Sequence, residues 1–140
     1  MFKRLLVPVD LEHPASAQKV VRNALALGGE AAEYIIMTVI PPIGGGIVAS
    51  YLPKNYDKRL KEEMEVRLRE FMAEHFADAT HERFQYFVAH GPVYEEINMA
   101  AKHHDVDLVV VSAVKPGSHG LGPNAARVAR YGENNVLIIR

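Results

Sequence analysis

Continuous apolar runs and stretches of helical spacing alternate along this chain. Arg4 to Asp10 (RLLVPVD) is an apolar run ending in an acid, which predicts a buried strand. Pro8 cannot donate to a ladder, so it marks the end of that strand or a bulge. Pro14 suits a first helical position, and Ala17, Val20, Val21, Ala24 and Leu27 follow with helical spacing until Gly28-Gly29 stops the helix. Tyr34 to Ile40 (YIIMTVI) reads as a second buried strand. Asp57 to Phe76 predicts the longest helix, with Leu60, Met64, Leu68, Phe71, Met72 and Phe76 on one face and a solvated charged face opposite. Glu82 to Ala89 (ERFQYFVA) alternates, as a strand at a sheet edge does. His90-Gly91-Pro92 then turns the chain into a helix carrying Val93, Ile97, Ala100, Ala101 and His104. Val106 to Ala113 is apolar on both faces, which argues for a buried parallel strand. Pro123 opens a short Ala/Val-rich helix, and Asn134 to Arg140 closes as a last apolar strand.

The order β-α-β-loop-α-β-α-β-α-β predicts an α/β fold of three layers. It is a doubly wound open parallel sheet of five strands in order 3-2-1-4-5, with helices on both faces. No repeat, linker or composition break divides residues 1–140, so a single domain is expected. Doubly wound sheets take ligands at the carboxyl ends of the strands, where the winding reverses. That rule gathers Asp10, Val39 to Pro42 and Ser112 to Asn124 around one crevice. The loop after the fourth strand holds Gly117, Gly120 and Gly122 and leads into the helix opened by Pro123. Strand, Gly-rich loop and helix N-terminus in that order cradle phosphates, through free backbone N–H groups and the positive end of the helix dipole. Lys115 would add a charge there. The Pro41–Tyr56 connection has three prolines and three successive glycines, as lids and binding loops often do. Its Ile43, Ile47, Val48, Tyr51 and Leu52 predict that it folds back over something apolar.

Composition narrows the field by exclusion. The net charge is −1, so there is no whole-chain electrostatic footprint for nucleic acid or an anionic membrane. Cysteine is absent, which removes disulfides, thiolate catalysis and Cys-type zinc sites. MFKRLLVPVD is too short an apolar start for a signal peptide or a membrane span, so a cytoplasmic location is expected. His103 and His104 are adjacent, so they should point to different helix faces and make a poor metal pair. Neither a Walker pattern nor a nucleophile elbow occurs. The expected activity is not enzymatic, beyond slow hydrolysis of a bound nucleotide.

Several segments resemble the universal stress protein family, over essentially the whole chain. They are Pro8-Val9-Asp10 at the first strand end, Thr38-Val39 before a long loop, His90-Gly91-Pro92 before a helix, and Ala101 to Val111. Leu121-Gly122-Pro123-Asn124-Ala125-Ala126-Arg127-Val128-Ala129-Arg130-Tyr131 resembles the family's Leu-Gly-Ser helix start, and Asn135 to Arg140 resembles its last strand. The resemblance implies an adenine nucleotide alpha hydrolase-like fold and a small stress-response regulator binding ATP or AMP, with magnesium accompanying ATP. It implies a base and ribose near Pro8, Val9, Asp10, Val39 and Ser112, with Ala113, Lys115, Gly122, Pro123 and Asn124 around the phosphates. It also implies a homodimer through Val136, Leu137, Ile138 and Ile139, an apolar and proline-free edge strand, and a regulatory protein partner. The rival expectation is a homodimeric interaction module that binds no nucleotide.

Members that bind ATP carry Gly-x2-Gly-x9-Gly-Ser/Thr, and this chain departs from that pattern. Ser112 or Ala113 stands at the first glycine, the loop is shorter, and Pro123 follows Gly122 where a hydroxyl residue is expected. Pro123 offers neither an N–H nor a hydroxyl. Each hydrogen bond to a charged group contributes about 1.5 to 3 kcal/mol, so a triphosphate should gain little here over a monophosphate.

Overall fold

The computed structural model describes residues 1–42, 51–78, 82–113 and 120–140. The chain runs β1 (Arg4–Pro8), α1 (Pro14–Gly28), β2 (Glu33–Ile40), α2 (Tyr56–His75), β3 (Phe84–His90), α3 (Val93–His103), β4 (Leu108–Ser112), α4 (Pro123–Tyr131) and β5 (Val136–Ile139). All strand pairs are parallel, in the order β3-β2-β1-β4-β5. The fold is therefore the expected α/β sheet, with β1 and β4 adjacent where the winding reverses.

Alternation along each central strand supplies two cores. Leu5, Val7, Tyr34, Ile36 and Val110 face α1 and α2, meeting Val20, Val21, Leu68 and Met72. Leu6, Ile35, Met37, Val109 and Val111 face the other way, against Ile97, Ala100, Ala125 and Val128 of α3 and α4. Residues buried on both faces read as unbroken apolar runs, which is why the sequence shows these strands so plainly. The first half of α2 packs less than its pattern predicts. Leu68, Phe71 and Met72 are buried, whereas Leu60 and Met64 are only half-buried.

The strand ends differ from expectation by a residue or two. β1 stops at Pro8 rather than Asp10, β4 covers Leu108–Ser112, and β5 covers Val136–Ile139. Apolar residues continue past β1 and β4, as Val9 and Ala113, whereas polar Asn134, Asn135 and Arg140 flank β5. Tyr51, expected to fold back over apolar surface, is 83% exposed, while Ile43, Ile47 and Val48 lie outside the described residues. The His103 and His104 rings also depart from their expected divergence, with centroids 5.0 Å apart. His104 caps α3, its N–H still donating to the Ala100 carbonyl at 2.9 Å, and its half-buried ring meets Phe87 of β3 edge-on while His103 is exposed.

Candidate functional site

The carboxyl ends of β1 and β4 lie side by side, but their pairing is short. Only Leu5↔Leu108 and Leu6↔Val109 are in register, whereas β1 and β2 pair from Arg4 to Pro8. Proline explains the difference. The Val9 N–H donates to the Met37 carbonyl of β2 at 2.8 Å, so by strand alternation the nitrogen of Pro8 faces β4, and it carries no hydrogen. The β1–β4 ladder stops below this point, so the hydrogen-bonded seam between the two strands is open above Leu6 and Val109, at the top of the sheet.

Gly122 forms the second wall. It sits before α4 with φ 75°, and a Cβ added there would lie 2.9 Å from the Ala113 carbonyl oxygen. Only glycine fits both the left-handed backbone and the close approach. The contact brings the start of α4 against the end of β4, itself fixed by the Ala113 N–H donating to Ile139 at 2.8 Å. No side chain caps α4, and Pro123 occupies its first turn. The orphan donors of that turn are therefore the N–H groups of Asn124 and Ala125. Both Pro123 and Asn124 are exposed.

Asp10 is turned onto its own loop. Its Oδ1 accepts the Glu12 N–H at 3.0 Å, and its Oδ2 lies 3.0 Å from His13 Nδ1. Both oxygens thus organise the turn into α1, and each retains a lone pair facing solvent. Val39 is half-buried near the end of β2, and Ser112 is the half-buried last residue of β4. The structure thus brings Pro8, Val9, Ser112, Ala113 and Gly122 to the sheet's carboxyl edge, with Asp10 on the turn above β1. Lys115 lies outside the described residues.

Three residues at the same edge make contacts that the sequence does not show. Thr38, 3% exposed, is the single buried polar residue among those described, and its Oγ1 donates to the Val9 carbonyl at 2.9 Å. It locks the end of β1 to β2. A lone hydroxyl inside YIIMTVI was the available signal. His90 Nδ1 at the end of β3 bonds Asp57 in the first turn of α2, and Lys61 Nζ lies 3.4 Å from the other Asp57 oxygen. The His90 hydrogen bond, helped by Lys61, lowers the Asp57 carboxyl below its ordinary value. This pair ties the start of α2 to the sheet.

A shallow cleft of about 220 Å³ lies elsewhere, between Leu11 and Pro14 and the Arg67–His75 part of α2, and shares no residue with the opening. Among the described residues no group of histidines and carboxylates could hold a metal ion, and no helix is long and apolar enough to cross a membrane.

Known proteins echo this geometry. Universal stress protein G of Escherichia coli O157:H7 is 27% identical over 144 residues, covering 100% of both chains. The solved structure of a universal stress protein from Lactobacillus plantarum superposes with a TM-score of 0.70 at 24% identity, over 99% of this chain and 97% of that one. A universal stress protein solved in complex with cAMP has a TM-score of 0.66 at 18% identity, over 99% of this chain and 97% of its own. The model of the universal stress protein family matches residues 1–140, and with this fold and this Gly122-led helix start the chain belongs to that family.

Proposed function

We propose that this protein is a small stress-response regulator that takes an adenine nucleotide, ATP or AMP, in the opening between β1 and β4. One observation carries the reading: the β1–β4 ladder ends at Leu6↔Val109 while Gly122 holds the start of α4 against the Ala113 carbonyl. The opening is lined by strand-end backbone suited to a base and a ribose, with Asp10 nearby as an acceptor for ribose hydroxyls. A family fold already seen with cAMP supports a ligand of this class.

The residues present fit the base and ribose better than the phosphates. Pro123 supplies no donor, so the α-phosphate relies on the N–H groups of Asn124 and Ala125. Magnesium would arrive with ATP, held by the phosphates rather than by a protein carboxylate cluster. Binding orders the site and alters the surface that a regulatory protein reads.

Calorimetric titration with adenosine, AMP, ADP and ATP tests this. The three nucleotides should bind within about one order of magnitude of each other, a spread of roughly 1.4 kcal/mol. Pro123→Ser should restore an N–H and a hydroxyl and tighten ATP selectively, leaving adenosine unchanged. Absence of binding by any of the four ligands would overturn the reading.

A second reading has its own observation. β5 is a short edge strand whose four residues are all half-buried, with one side of its backbone ladder unpaired by any described strand. An apolar edge of this kind favours pairing with a second copy about a two-fold axis. The protein would then act as a homodimeric interaction module, with or without nucleotide.

A further inference from the structure

We propose that the outer surface shared by α3 and α4 is a docking site for an acidic protein segment carrying a large apolar side chain between its carboxylates. The proposal is independent of nucleotide binding.

Four side chains are linked by ring contacts there. The Arg127 guanidinium lies 5.6 Å from the centre of the Tyr94 ring. The Tyr94 and Tyr131 ring centres are 5.7 Å apart, inclined at 41°. Arg130 in turn lies 5.7 Å from the centre of the Tyr131 ring. The contacts run Arg-Tyr-Tyr-Arg, a ladder across two helices that combines two cations with two rings.

The surroundings say what such a ladder would accept. Arg4, Arg67 and Arg69 each lie beside a carboxylate, but among the described residues neither Arg127 nor Arg130 does. Among the described residues, both guanidinium groups meet tyrosine rings and no hydrogen-bonding partner. Cation–π attraction favours guanidinium positions near the rings, and each planar fork is built to take a carboxylate bidentately. Tyr131 is 61% exposed, a rigid apolar face at the centre of the patch. Tyrosine and arginine together are the residues that dominate protein interfaces. Glu95 borders the ladder, its Oε1 accepting the Tyr94 hydroxyl at 3.2 Å. That fixed negative charge beside Tyr94 opposes an unbroken row of anions laid across the rings, and leaves the guanidinium groups as the places for separate carboxylates. Carboxylates spaced around an apolar residue fit; an unbroken row of phosphates does not.

Fluorescence anisotropy with a short labelled peptide alternating glutamate and leucine tests the site, with a lysine-for-glutamate peptide and a short oligothymidylate as comparisons. The acidic peptide should bind saturably and weaken as salt rises from about 50 to about 200 mM, because the contacts are partly exposed. Arg127→Gln with Arg130→Gln should weaken it at least tenfold, and Tyr131→Ala by a similar factor. Arg22→Gln with Arg59→Gln, on α1 and α2, should leave it unchanged. Matching melting temperatures for all variants confine the comparison to binding. No saturable binding of the acidic peptide, equal binding by the double Arg127/Arg130 variant, or preference for the oligothymidylate would each overturn the proposal.

Discussion

Thr38→Val isolates one buried hydrogen bond at the edge of the proposed site. Valine keeps the volume and β-branching of threonine, so packing in the core changes little. What is lost is the 2.9 Å bond from Oγ1 to the Val9 carbonyl, at a residue 3% exposed. Leaving a buried acceptor unpaired costs about 1 to 3 kcal/mol. For a chain of this size each kcal/mol moves the midpoint by about 2 to 4 °C, so Tm should fall by roughly 3 to 10 °C. Urea denaturation should give the same free energy with an unchanged slope. Thr38→Ser keeps the donor and loses one methyl group, costing about 1 kcal/mol. Adenosine should also bind more weakly to the valine variant, since the released carbonyl belongs to the strand end proposed to meet the base. A valine variant as stable as the parent, or a serine variant less stable than valine, would refute this account of the bond.

Gly122→Ala should destabilise by about 1 to 3 kcal/mol in urea titration, because the new methyl meets the Ala113 carbonyl at 2.9 Å on a backbone with φ 75°. Ile138→Lys should yield monomers by size-exclusion chromatography if β5 pairs with a second copy; an unchanged elution volume would remove that interface. Burial, with the positive charge of His103 and Arg4 nearby, lowers the His104 pKa below its ordinary 6.5. The unfolded chain then takes up that proton first, so stability should be full above about pH 6.5 and decline as pH falls from there toward the folded pKa. His104→Phe should flatten that decline between pH 7.5 and 5.5 (about neutral to mildly acidic) when compared by denaturant titration.

The architecture was legible because a parallel strand buried on both faces leaves an unbroken apolar run, as in LVVV before Ser112. Boundaries were less so. Hydrophobicity tracks burial, and Val9 is buried beyond the last residue of its ladder. Within the site, Gly122 was readable from the Leu-Gly helix start it shares with the family, and its φ of 75° gives the physical reason for glycine there. Asp10 was visible as an acid after a strand, but its engagement by Glu12 and His13 depends on how the turn closes. Thr38 and the His90–Asp57 pair were invisible in a functional sense. Their partners lie 29 and 33 residues away in sequence, and only strand order brings them together.

Pro8 makes the separation of β1 from β4 permanent. Strand alternation directs the Val110 carbonyl toward Pro8, where an ordinary residue would offer an amide hydrogen and close the sheet. A ladder lacking that hydrogen cannot zip shut when the site is empty. Val110 is fully buried, so the acceptor keeps no amide partner from β1 and the ladder ends at the same place whether or not the site is filled. Hydrogen exchange should register the asymmetry, with the Val9 amide protected on the β2 side whether or not ligand is present. Where this ladder ends is thus a property of the covalent backbone, independent of any side-chain rotamer.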